Sequence, residues 1–444
     1  MAKKEFNKKV ITIKAVLIIL LGVILGISCF FSPQIDKLLN LGDKEVSYVS
    51  SEVIAESDMT IHYIDVGQAD STLICLPDDT KVLIDAGLNK SGEVIVEYLQ
   101  SLNISTIDYF ILTHSDADHS GGAVDIFENF EIKNIYRPFQ ISCRKDSKTG
   151  VVSLSQYEKL GYLYESTDEV YKNKLNIVTT ATYENFIKAA YNEEYIENGS
   201  TKQSNVYVMN DGMKIESEII GENNYLIEFF APLIRTGAED FDYSKSRTYG
   251  KATKFYGEDG ADAYNNASPV ILLEYNNMQF VFTGDAGSEV EEDFLNSLTE
   301  NERLRFENIE VFQAGHHGSK TSNSQEFLEL LTPEYVVFSC GKNNKHGHPD
   351  QEVLDAVKSY THETSDYILR TDEIGNIAFG FDAEGDLAYT SYDAGSGGVV
   401  VYWWQIAIGA FIVLSIFIIT IKITTNAKAT TKRVVRKAKK LFDK

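Results

Sequence analysis

TIDYFILTH, residues 106–114, is an almost unbroken apolar run that stops on a histidine, and THSDADH (113–119) then supplies a second histidine and two aspartates. The arrangement recurs. VFTGD ends on Asp285, VFQAGHHG carries His316 and His317, and YVVFSCG is followed by KNNKHGHP with His346 and His348. Short apolar runs bounded by turn residues read as strands covered on both faces. Several such strands, each delivering imidazole or carboxylate at its end, confine the chain to folds in which strand ends meet above a sheet. Six of the eight histidines fall in these three clusters, whereas His62 and His362 stand alone and read as structural or surface residues. Carboxylate oxygen together with imidazole nitrogen suits Zn, Mn or Fe and is a poor match for Ca or Mg.

Around those strands the order of elements is regular. MTIHYIDVG, STLICLP and KVLIDAG read as a β-meander, and SGEVIVEYLQSLN as a helix behind a serine cap. After residue 266 come the strand pair PVILLEYNNMQFVFTGD, helix SEVEEDFLNSL, strand IEVFQAG, helix SQEFLELL, strand YVVFSCG, helix DQEVLDAVKSY and a closing hairpin from Tyr367 to Tyr392. Strands first, then alternating α and β, then a hairpin predict sheets in the centre with helices outside. Residues 141–266 are the least legible part. They contain the helical pieces SQYEKLGYLYE and TYENFIKAAYNEEYIEN and the strands VYVMN and YLIEFFAP, and they read as a variable excursion.

The net charge of −24 is unevenly spread. Residues 1–14 and 422–444 are basic, and the stretch between them carries roughly 27 basic and 63 acidic residues. Two charge-free apolar runs, 15–31 and 399–421, separate these zones and are close to the ~20 residues that cross a bilayer. Tyr402, Trp403 and Trp404 at one end of the second run, with Lys422, Lys428, Lys432 and Arg433 beyond the other, predict two single transmembrane helices. Both termini are then cytoplasmic and the acidic middle is extracellular. A linker (32–58) and a Gly/Ser tether (394–398) flank the predicted domain, 59–393. Four cysteines without a CxxC pair argue against a thiolate zinc site.

The set DVGQAD (65–70), VLIDAG (82–87), THSDADHSGG (113–122), FTGD (282–285), GHHGS (315–319) and GHP (347–349) resembles the metallo-β-lactamase fold. It is most similar to the metallo-β-lactamase domain of ComEC-type competence proteins. The resemblance implies an α/β protein, an αββα sandwich, and a hydrolase holding two divalent metal ions, Zn or Mn. The wider superfamily uses HxHxDH, and this branch uses HxDxDH, which accounts for Asp116. One metal is then held by His114, Asp116 and Asp285, an oxygen-rich set that favours Mn or labile Zn. The other is held by Asp118, His119, a bridging Asp285 and one of His316 and His317, with His316 favoured because it directly follows Gly315. Asp118, Asp285 and His348 are the candidate catalytic residues, His348 as a proton donor or phosphate contact. Asp65, Asp70 and Asp85 are candidates to orient the ligands, with turn formation as the alternative. Ser319, Lys320 and Lys342 are candidates to touch substrate, although an exposed lysine is solvated by default.

The implied function is phosphodiester hydrolysis, with DNA as the leading substrate. The acidic middle resists a polyanion unless a local basic track offsets its field, so cell-wall phosphocholine or a small phosphodiester is the alternative. A tethered binding protein without catalysis is a third reading, and the missing trio of His ligands on the first metal weighs against a β-lactamase. Protein partners are not indicated.

Overall fold

In β1 (Met59–Tyr63) every side chain is buried, but the two faces differ. Met59, Ile61 and Tyr63 join a core between two sheets, while Thr60 and His62 face the helix Gly92–Ser101 on the other side. The computed structural model describes residues 57–138, 140–145, 152–154, 177–178, 180–209, 211–217, 224–230, 264–361, 367–381 and 387–392. The apolar runs 15–31 and 399–421, the basic ends, the tether, most of the linker, SQYEKLGYLYE and His362 lie outside these residues. No helix among the described residues is long and apolar enough to cross a membrane.

The first sheet adds β2 (Thr72–Cys75), β3 (Lys81–Ile84), β4 (Thr106–Ile111), β5 (Glu131–Arg137) and β6 (Asn205–Val208). The second contains β7 (Lys214–Glu216), β8 (Tyr225–Phe229), β9 (Ile271–Tyr275), β10 (Met278–Phe282), β11 (Val311–Gln313), β12 (Tyr335–Phe338) and β13 (Ile368–Arg370). β14 (Asn376–Phe381) and β15 (Leu387–Tyr392) return to the first sheet. The strand orders are β6-β5-β4-β3-β2-β1-β14-β15 and β7-β8-β9-β10-β11-β12-β13. β3 to β6 are parallel, as are β10 to β13, and the remaining neighbours are antiparallel.

Three apolar clusters make the layers. Ile61, Ile84 and Ile111 meet Phe229, Phe280 and Val337 between the sheets. Helices α1 (Gly92–Ser101), α2 (Ala117–Ser120), α3 (Ala123–Asn129) and α4 (Ala181–Asn192) lie with the first sheet, and Ile95, Ile126 and Phe186 pack on its outer face. Helices α5 (Ser288–Ser297), α6 (Glu300–Arg303), α7 (Gln325–Leu331) and α8 (Gln351–Tyr360) follow the second, and Phe294, Phe327 and Val353 pack on its outer face. Burying one such side chain stabilises by roughly 1.5–3 kcal/mol. The result is a sandwich of two mixed sheets between helical layers.

Three features depart from the sequence reading. Within 141–266, TYENFIKAAYNEEYIEN falls on α4, which buries Tyr183, Phe186, Ile187 and Ala190, VYVMN and YLIEFFAP fall on β6 and β8, and with β7 these strands extend both sheets, a role in the core that the excursion reading did not give them. Of these elements only β7, three residues long, has no counterpart in the sequence reading. Ile368–Arg370 pairs with β12 instead of entering the final hairpin, which is β14–β15 alone. Ser91 precedes α1 but makes no side-chain cap; its hydroxyl donates to the Val66 carbonyl (3.1 Å). His62, solitary in sequence, bonds Tyr98 Oη (2.9 Å) and Thr60 Oγ1 (2.8 Å), and burial lowers its pKa to about 3, so it is a neutral core residue.

Candidate metal centre

Parallel strands place their carboxyl ends on one edge of a sheet, and loops leaving that edge can converge. Asp85 follows β3, His114 follows β4, Asp285 follows β10, His316 and His317 follow β11, and the 341–348 loop follows β12. Gly284, at φ +49, follows β10 and packs against Thr113, just past the end of β4. A Cβ there would sit 2.7 Å from Thr113 Cβ and Oγ1, so only glycine lets Asp285 reach His114.

Asp285 lies at the middle. Its Oδ1 is 3.1 Å from His119 Nε2 and 3.9 Å from His317 Nε2, and its Oδ2 is 3.8 Å from His114 Nε2 and 3.6 Å from His316 Nε2. Asp118 Oδ2 is 3.5 Å from His317 Nε2. The close donor groups are His114–His119–Asp285, Asp118–His119–His317, Asp70–Asp85–His119 and Asp70–Asp285–His317. His317, rather than the favoured His316, therefore faces Asp118 and His119. His316 stands on the other side of Asp285, its Nδ1 3.1 Å from Thr321 Oγ1. Asp116 is in none of these groups. Its carbonyl accepts from His119 N and Ser120 N at the start of α2, and burial, then the charges of Asp118 and Asp285, push its carboxyl up to about 7.

The imidazoles are oriented from behind. Asp85 Oδ1 accepts from Thr113 N (2.8 Å), and Oδ2 accepts from Thr113 Oγ1 (2.8 Å) and His119 Nδ1 (2.7 Å). Because the Thr113 hydroxyl donates to Asp85, its lone pairs face His114 Nδ1 (3.1 Å), and Ser268 Oγ is 3.2 Å from the same nitrogen. His317 Nδ1 donates to the Ser339 carbonyl (2.9 Å), with Asp70 Oδ1 at 3.3 Å. Each ring is thus oriented through Nδ1 and turns Nε2 inward. His114 Nε2, His119 Nε2, His317 Nε2 and Asp285 Oδ1 are buried and make no hydrogen bond among the described residues. Buried polar atoms are normally partnered, so this convergence of orphaned nitrogen and carboxylate fits a cation. Burial works against charge on His119 and His317, yet Asp285 with Asp85, and Asp70 with Asp285, hold both well above the usual histidine range. The same excess of carboxylate attracts a divalent ion.

The other expected residues divide. Asp85 orients, Asp70 lies beside His317, and Asp65 forms a turn, accepting from Gly67 N (3.1 Å). Ser319 is buried and bonded to Thr321 Oγ1 (3.0 Å), and Lys320 is exposed. His348 is half-buried with its ring 5.5 Å from His316, and burial, with the neighbouring His316 and His317, lowers its pKa to about 4.

The sequence reading missed a clamp behind the histidine pair. His316 and His317 sit at φ 50 and 54, a region costly for residues with a Cβ. Asn323 holds the turn: its Oδ1 accepts from Gly315 N (2.8 Å), and its Nδ2 donates to Gly315 O (2.9 Å) and Ser319 O (3.3 Å). Buried Glu291 accepts from Asn323 N (2.6 Å) and Ser324 N (2.8 Å). Asn323 is itself at φ 62, so Asn323→Gly keeps the backbone and removes the clamp. Metal affinity should fall about 10–100-fold, as for other residues that orient ligands. Competition against a chromophoric chelator reads this, and unchanged affinity would refute the clamp.

Residues 64–141 match the family described as the Metallo-beta-lactamase superfamily, a span holding Asp85 and the whole THSDADH motif. Over these residues the chain is similar to the metallo-β-lactamase superfamily. Asp285, His316 and His317 fall beyond that span and join the site through geometry. The chain is 26% identical to ComE operon protein 3 of Bacillus subtilis over 342 residues, 73% of this chain and 33% of that protein. It is 32% identical to competence protein ComA of Neisseria gonorrhoeae over 121 residues, 27% of this chain and 16% of that one. The chain thus matches a third or less of the length of these relatives. Among solved structures, a diphosphatase of the PhnP family aligns at 11% identity and a TM-score of 0.31, over 76% of this chain and 98% of its own, too loose a likeness to bear on substrate. Proteins of the superfamily are generally metal-dependent hydrolases, and the histidine–aspartate cluster is where this domain could hold metal.

Proposed function

We propose that the domain is a dinuclear metal-dependent phosphodiesterase whose substrate is DNA. The observation that carries this reading is the placement of Asp285, with one oxygen toward His119 and His317 and the other toward His114 and His316. A carboxylate between two sets of donors suits two cations, Mn or Zn, with Asp118, His119 and His317 on one side and His114 and His316 on the other. Such a pair supplies a water of lowered pKa and neutralises charge on a phosphodiester. The chain's own part is to fix the imidazoles through Asp85, Thr113, Ser268 and Asn323, and to present a neutral His348 beside His316, where its ring N–H can donate a hydrogen bond to a phosphate oxygen. Likeness to competence proteins supports DNA. The apolar runs 15–31 and 399–421 support a membrane anchor with the acidic domain on the outer side.

The test is incubation of the full chain with Mn or Zn and circular single-stranded DNA. Cleavage that stops on chelation and returns with metal is expected. A folded, metal-loaded protein that leaves the circle intact sinks the nuclease reading. The acidic excess then favours a smaller substrate, a wall phosphocholine or nucleotide diester, which suffers less repulsion.

A further inference from the structure

The loop after β12, Gly341–His348, is built rigidly and faces outward. Asn344 staples it: Oδ1 accepts from His346 N (3.1 Å), Gly347 N (2.8 Å) and His348 N (3.1 Å), and Nδ2 donates to Gly341 O (2.9 Å) and His348 O (2.6 Å). Gln68 ties the loop to the β1–β2 turn, accepting from Gly341 N (3.0 Å). Lys342, Lys345 and His346 are nevertheless exposed. Lys320 is exposed near the end of this loop: Lys320 N donates to Asp350 (2.9 Å), two residues beyond His348, and Asp350 N donates to Gly318 O (2.9 Å). From the centre outward, the rings of His316, His348 and His346 follow one another at 5.5 Å steps.

Charge pairing sets this loop apart. Lys81, Lys133, Lys188, Lys202, Lys214, Arg305 and Arg370 each lie against a carboxylate. Lys320, Lys342 and Lys345 have no ion pair among the described residues, although the chain is strongly acidic. Unpaired cations on an ordered loop at the rim of an acidic site make a local positive strip, which a flexible side-chain surface would dissipate. Lys90 and Lys358 are also unpaired, but they stand singly on other elements.

We infer that the 341–348 loop, with Lys320, is the subsite that receives the phosphate backbone of a single nucleic-acid strand next to the phosphodiester at the centre. Lys342 and Lys345 contact neighbouring phosphates, and His346 and His348 line the path inward. The inference rests on the phosphodiesterase reading and supplies what that reading lacked, a basic track within an acidic domain. Each phosphate contact on a single strand contributes about 0.7 to the slope of log affinity against log salt.

The experiment compares the full chain with Lys342→Glu/Lys345→Glu, leaving Asn344 in place, and with the milder Lys342→Gln/Lys345→Gln. Binding of a fluorescent, phosphorothioate single-stranded oligonucleotide is followed by anisotropy across salt concentrations, with metal content and Tm as checks on folding. The expected result is an affinity about tenfold lower for the Glu variant and a salt slope smaller by about 1.4 in both variants. Affinity and slope equal to the parent's overturn the assignment, as does a parent that binds poly(glycerol phosphate) but no oligonucleotide. A parent that binds the strand through these lysines but cleaves nothing refutes the nuclease reading alone.

Discussion

Asp285→Asn should empty the centre. The substitution preserves shape, and the backbone bond from Asp285 N to Ser268 Oγ (3.2 Å) survives, so the fold has no reason to fail. Removing a residue that merely orients a ligand costs 10–100-fold in metal affinity. Asp285 faces four imidazoles directly, so its loss should exceed about 100-fold and lower both sets of donors together. The new amide would also point an N–H at imidazole nitrogens or at a cation. Metal content after dialysis against a weak chelator reads the effect, together with loss of any hydrolytic activity. Two metals retained at parental affinity would show that Asp285 does not join the two sides.

The largest effect on stability is expected at Gly121, two residues after His119. A Cβ there would lie 2.3 Å from Asn89 N, 2.4 Å from Ala117 O and 2.6 Å from Leu88 C. All three are main-chain atoms, so no side chain can swing aside, and Gly121 N already donates to Gly87 O (2.9 Å). Overpacking usually costs 1–3 kcal/mol, and a clash against fixed backbone belongs at or above the top of that range. Gly121→Ala should therefore destabilise by about 3 kcal/mol or more. Denaturant melts would show a lower midpoint at an unchanged m-value. A loss under about 1 kcal/mol would mean that the 87–92 segment can retreat, contrary to its close packing here.

Asp116, expected among the ligands, is in none of the close donor groups, whereas the convergence of His114, Asp118 and His119 was legible because THSDADH follows an apolar strand whose end must meet its parallel neighbours' ends. Asp285 was legible for the same reason. The choice between His316 and His317 was not. It turns on two consecutive left-handed residues, and that conformation comes from Asn323, seven positions beyond His316 and indistinguishable in sequence from an ordinary turn asparagine. Glu291, one of four acids in the helix SEVEEDFLNSL, is buried and accepts from Asn323 N and Ser324 N with its two oxygens, and nothing in the helix's own sequence marks it out. α4, β6 and β8 were read as separate pieces, but β7 escaped because it is three residues long, too short for period to speak, and β6 exposes alternate side chains at a sheet edge, which hid that the pieces extend the sheets.

The donors come from both sheets: His114, Asp118 and His119 from the first, and Asp285, His316 and His317 from the second. The spacing across the centre is therefore gauged by what fills the gap between the sheets. Tyr63 rests against Phe282 (6.4 Å) and Phe379 (6.0 Å), Phe280 against Phe381 (4.7 Å), and Tyr136 lies flat on Phe229 (5.5 Å). Interiors this dense barely compress. The aromatic layer acts as a feeler gauge: thinning it at Phe280 or Phe282 would let the two halves of the ligand set drift out of mutual reach without touching one of them.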